Sequence, residues 1–111
     1  PFEFLYGSYD FFTSQEDFIE GLYLGGNPSA ARSLTEKIAS VYEERLTQLS
    51  SFPAEKQNLY EEIIMNEING YRRLMFYVSL YEEEVYQVEM EKRIYETLKP
   101  LTMFDRIFEE K

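Results

Sequence analysis

Between Pro53 and Pro100 the chain contains no proline, and that uninterrupted stretch limits the fold more than any other feature. Ile64, Ile68, Tyr71, Leu74, Met75, Val78, Tyr81, Val85 and Val88 are spaced along it so as to keep apolar side chains on one face of a helix. Asn69-Gly70 is the single internal turn signal, yet Ile64, Ile68, Tyr71 and Leu74 cross it in register, so continuity is favoured over a break. The pattern predicts one very long helix over residues 53–98, a rod of roughly 70 Å.

Breakers elsewhere set out shorter helices. Thr13-Ser14-Gln15-Glu16 has capping-box spacing, and Gly25-Gly26 offers a stop, which predicts a helix near 15–24. Asn27-Pro28 supplies an N-cap and an N1 proline for a second helix over about 28–50, with apolar positions at Ala31, Leu34, Ile38, Val41, Tyr42 and Leu49. Ser51-Phe52-Pro53 is then a connection short enough to force an antiparallel hairpin. Thr102 and Asp105 have cap-like spacing at the start of a terminal helix near 103–110, whose apolar positions are Phe104, Ile107 and Phe108. Phe2, Phe4 and Tyr6 alternate in residues 1–12, read as an aromatic arm because one short strand has no partner. The fold class is all-α: a single helical domain over 1–111, built on an antiparallel helix hairpin with one very long helix and short flanking helices.

Paired outward from the turn, the hairpin sets Leu49 beside Lys56, Tyr42 beside Ile63, Ile38 beside Glu67 and Leu34 beside Tyr71, and it runs out near Tyr77. Beyond that point Tyr81, Val85 and Val88 continue the stripe. Phe76, Leu80, Met90, Ile94 and Leu98 form a second apolar side at 100° per residue, so the middle of the rod is apolar nearly all round. Such a segment needs cover from its own termini or from another chain, which predicts self-association. Phe76, Tyr77, Leu80, Tyr81 and Tyr86 are the candidate interface residues, because the hairpin cannot cover them all and Tyr is enriched where partners bury a surface.

Composition removes whole classes of function. With no His and no Cys among 111 residues, the default general base, thiolate ligands and most zinc, haem and imidazole chemistry are lost. Twenty-one acidic against 11 basic side chains leave a net charge of -10, which repels phosphate backbones and anionic lipid. Nucleic acid and membrane are therefore not expected as partners, whereas a basic protein is. No apolar run has transmembrane length and the start lacks a basic signal region, so a cytoplasmic protein is expected.

Carboxylates are the only plentiful reactive groups. Glu62, Glu67 and Glu82 are the candidates for a magnesium or manganese site acting on nucleotides or phosphate esters. Lys37 and Arg45 face them from the second helix, so ion pairs are the simpler reading of Glu67 and Glu82. Arg72, Arg73, Lys92 and Arg93 read as members of intrahelical pairs. A nucleic-acid mimic is the third possibility, but the acids over 74–98 fall about one per 6 Å against about one charge per 1.7 Å in duplex DNA. The sequence thus points to a non-catalytic, cofactor-free interaction protein in an adaptor, chaperone-like or inhibitory role, with an acidic aromatic surface.

Overall fold

A computed structural model describes residues 15–108. Helix α1 covers 15–24, followed by α2 (Pro28–Ser50), α3 (Ala54–Leu59), α4 (Glu61–Tyr81), α5 (Glu84–Leu98) and α6 (Phe104–Phe108), with no strand among the described residues. The all-α bundle is as expected, and α2 has the predicted bounds. The aromatic arm of 1–12 lies outside the described residues. None of the described helices is long and apolar enough to cross a membrane.

Local chemistry explains the first junction. The N–H of Asn27 bonds to the carbonyl of Leu22 and that of Gly26 to Tyr23, the paired bonds that close a helix through a left-handed residue. Gly26 supplies that residue at φ 82°. Pro28 then starts α2, and the Asn27 side chain accepts from the Ala30 N–H at 3.3 Å.

The long helix over 53–98 is corrected: the stretch is three helices. Tyr60 separates α3 from α4, and Glu82 and Glu83 adopt extended backbone that turns α5 back along α4. The molecule measures 46 Å in its longest dimension, too short for a rod of roughly 70 Å. Gly70 lies inside α4 without a break, as the register of the stripe implied. The reversal occurs instead at three successive glutamates. Glu82 and Glu83 follow the negative end of α4, which is unfavourable, whereas Glu84 in the first turn of α5 suits its positive start. The Gln87 side chain donates to the Glu82 carbonyl at 2.8 Å and closes the turn.

Three helices, α2, α4 and α5, enclose the core. Ile38, Tyr42 and Leu46 of α2 meet Ile64, Ile68, Tyr71, Leu74 and Val78 of α4, and Tyr86, Met90, Ile94 and Leu98 of α5 close the third side. The apolar stripe does not pass straight from α4 to α5; its phase resets at the turn. Val85 and Val88, expected on the core face, are therefore at the surface. What reads in a continuous helix as apolar on all sides is two differently aimed stripes on two helices.

The α2–α4 pairing is also corrected. Tyr42 lies against Gly70 rather than Ile63, and Arg45, not Ile38, faces Glu67. The seven-residue shift along α4 arises because α3 and Tyr60 occupy the corner, leaving fewer residues of the second strand of the hairpin to pair. Gln57, almost fully buried, holds that corner: its amide donates to the carbonyls of Ser50 (3.2 Å) and Phe52 (2.9 Å), while its oxygen accepts from the Thr102 N–H (3.1 Å) and hydroxyl (3.2 Å).

Gly70 permits the close approach of α2 and α4. A Cβ there would meet the Tyr42 hydroxyl and lie 2.8 Å from its Cζ. Alanine normally gains about 1 kcal/mol over glycine in a helix. Here overpacking of about 1–3 kcal/mol opposes that gain, so Gly70→Ala is expected to lose up to about 2 kcal/mol in urea unfolding rather than to gain stability. A variant more stable than the parent by the full helix gain of about 1 kcal/mol would show that α2 and α4 are not in this contact.

Candidate interaction surface

The acidic and basic side chains that suggested chemistry are engaged with one another. Arg93 reaches from α5 to α2, donating to Glu36 at 2.6 Å and to both oxygens of Glu43 at 2.9 and 3.0 Å. The Tyr71 hydroxyl also donates to Glu43, at 2.6 Å, and that of Tyr86 to Glu36. Arg73 holds Glu16 of α1 with two bonds, at 3.0 and 3.1 Å. These pairs join different helices, which corrects the intrahelical pairing expected for Arg73 and Arg93. Burial and the carboxylate beside each hydroxyl push the Tyr71 and Tyr86 phenols well above the usual range, so both stay protonated donors.

The three candidate metal ligands are not brought together. Glu62 is exposed on α4. Glu67 is buried and accepts from Arg45 at 2.7 Å, an ion pair as expected for this residue, although the predicted register set Ile38 and not Arg45 beside it. Glu82 accepts from Arg32, rather than from Lys37, and from the Tyr23 hydroxyl. Among the described residues no group of three acids is placed to hold a metal ion. The two buried carboxyls also differ in direction. Desolvation pushes Glu67 up and its Arg45 partner only partly opposes this. At Glu82 burial also pushes up, but the hydrogen bonds from Arg32 and Tyr23 together with the Arg32 charge pull the carboxyl below its usual range.

Arg32 is the centre of this cluster. Its guanidinium stacks 4.1 Å over the Tyr86 ring while it bonds Glu82, so one side chain ties α2 to both sides of the chain reversal. Tyr23 of α1 lies flat on Tyr81 at 4.8 Å, and the Tyr81 hydroxyl donates to Glu20 at 3.1 Å. The shallow cavity at the start of α2 is lined by Arg32 but also by Glu36, Glu82 and Glu83. That lining suits a helix cap, not a phosphate.

The five candidate interface residues therefore separate. Phe76 and Leu80 are 58% and 56% exposed, one turn apart on the outer side of α4. Tyr77 is half-buried and packs edge-on to Phe76 at 5.3 Å. Tyr81 is half-buried beneath Tyr23. Tyr86 is corrected: at 6% exposure it is a core residue, because the reversal aims it back at α2. Sequence reasoning missed Val85 and Val88, whose 65% and 57% exposure follows from the phase reset, and Tyr95, exposed further along α5. The signal was present in the two apolar sides of the supposed rod.

Glu82 generates a pH prediction. Because its folded carboxyl is held below the usual range, the unfolded chain binds more protons as pH falls, so its contribution is present above the usual carboxylate range of about 4 and is lost below it. Glu82→Gln is expected to cost about 1–3 kcal/mol at neutral pH and to flatten the acid-side fall in stability, read by urea unfolding between about pH 3 and 7. A variant with an unchanged acid limb would show that Glu82 is not held in this way. No family model matches the chain, nor does any curated protein or solved structure, so the surface is interpreted from its own residues.

Proposed function

We propose that the chain is a non-catalytic interaction protein that associates with itself through the outer side of α4 and presents acidic, partly aromatic surface to another protein. The observation that carries this reading is the exposure of Phe76 and Leu80, each more than half open to solvent and one helical turn apart. Exposed large side chains in register on one helix mark contact sites. Charge supports the choice of α4 for self-contact. Between Glu67 and Glu82 the helix carries no carboxylate, only Arg72 and Arg73, in a chain whose net charge is -10. Glu16, Asp17 and Glu20 of α1 lie near Tyr77, but Glu16 is paired with Arg73 and Glu20 accepts from Tyr81, so repulsion between two copies is reduced on this side rather than absent.

The carboxylates of the rival metal-dependent reading give it little support, since Glu67 and Glu82 each have an arginine where a cation would sit. The bundle is free to act as a scaffold, and adaptor, chaperone-like and inhibitory roles all use such a surface.

Light scattering across a concentration series tests the reading. The parent chain is expected to run as a dimer or larger assembly, and Leu80→Glu as a monomer with unchanged helicity, since Leu80 is at the surface and makes little core contact. A parent chain that stays monomeric at every concentration would overturn self-association.

A further inference from the structure

The outer face of α5 has a pattern distinct from that of α4. Val85, Val88, Lys92 and Tyr95 follow one another at steps of three, four and three, the a and d positions of a two-heptad seam. All four are exposed, Tyr95 less than the two valines, since its ring packs edge-on against Phe104 of α6 at 5.2 Å. Glu84 and Glu91 occupy the flanking position on one side of this strip, Glu89 and Glu96 that on the other, and all four are exposed. None of these glutamates forms an ion pair among the described residues. The remaining arginine of the helix, Arg93, is turned inward to Glu36 and Glu43 and cannot neutralise them.

We infer that this face receives a basic amphipathic helix of another protein, apolar along its own seam and carrying Lys or Arg at its flanking positions. A helix lying in a groove or along a helix is read through such seam residues, and the flanking charges choose the partner. Here both flanks carry glutamate, Glu84 and Glu91 on one side and Glu89 and Glu96 on the other, with Arg72 of α4 a cation near Glu91. A second copy of α5 fits poorly in either direction, because parallel and antiparallel pairing both bring glutamate against glutamate, eight carboxylates against two Lys92 ammonium groups. Lys92 itself, a single charged residue within the seam, fixes the register of the incoming helix. The inference rests on the reading of the chain as an interaction protein, but it concerns a different helix face from the one assigned to self-association, so the two fail separately.

The test uses two labelled synthetic helices of about three heptads, each with Leu along the seam, one with Lys and one with Glu at the flanks. Each is titrated with the intact chain and followed by fluorescence anisotropy. The Lys-flanked helix is expected to bind saturably and the Glu-flanked helix not at all. Val88→Asp is expected to weaken binding about tenfold or more, a loss of the size produced by a central seam residue. The paired reversal Glu89→Lys with Glu96→Lys should weaken the Lys-flanked helix and strengthen the Glu-flanked one. Glu44→Lys with Glu55→Lys, exposed positions on α2 and α3 with the same change in net charge, should leave both affinities near those of the parent. No saturable binding, or a loss that is equal in the two reversed pairs, would overturn the inference, the latter by revealing only the general attraction of an acidic chain for a basic peptide. If the parent chain still assembles while the Lys-flanked helix fails to bind, the α5 inference falls and the interaction reading stands; if neither occurs, both fall.

Discussion

Two residues of extended backbone, Glu82 and Glu83, decide which side chains of the last third of the chain become core. They end α4, turn α5 back against it, and bring Tyr86, Met90, Ile94 and Leu98 into the space left beside α2. A turn without glycine or proline needs other support. It comes from Gln87 on the Glu82 carbonyl and from Arg32 and Tyr23 on the Glu82 side chain. Gln87 belongs to α5 itself, whereas Tyr23 and Arg32 lie on α1 and α2, so the reversal is held in part by the elements that it covers. The Arg93 bonds to Glu36 and Glu43 further along α5 keep the returning helix against α2.

Much of this was legible in the chain. The caps at Gly25 to Pro28 mark the end of α1 and the start of α2 because glycine and proline act locally through backbone geometry. The helical continuity through Gly70 follows from the unbroken phase of Ile64, Ile68, Tyr71 and Leu74. That Glu67 is held in an ion pair followed from cations and acids on facing helices, whereas the choice of Arg45 depends on the register that the structure corrects. What could not be read by breaker residues was the reversal, since Tyr81-Glu82-Glu83-Glu84 carries no breaker and its preference for a helix start is an electrostatic matter of fractions of a kcal/mol to about 1 kcal/mol. The helix register failed for a related reason: α3 consumes residues in the corner without any signal stronger than Pro53. Phe76 and Leu80 reached the surface as expected because they lie on α4 itself, whereas Tyr86, Val85 and Val88 exchanged places when the stripe was reset.

The charge distribution links the fold to its proposed use. The arginines that hold the helices together, Arg32, Arg45, Arg73 and Arg93, face inward or lie along helix seams. They neutralise carboxylates there and leave other acids outside uncompensated, so the interior pairing itself sharpens the acidity of the exterior. On this exterior α4 offers an apolar side without carboxylates of its own, bordered by the acids of α1, and α5 an apolar strip between glutamates. Two neighbouring helices with the same exposed apolar character thus suit different occupants, and it is the flanking charge that distinguishes them.

The reversal at Glu82 and Glu83 is open to a direct distance measurement. The chain has no cysteine, so spin labels can be placed singly at Asn69→Cys and Glu96→Cys, exposed positions on α4 and α5. Two helices folded against each other, with axes about 8–10 Å apart, are expected to give a label separation of about 20 Å by pulsed electron resonance. A separation near 40 Å, the span of those residues along one continuous helix, would contradict the account.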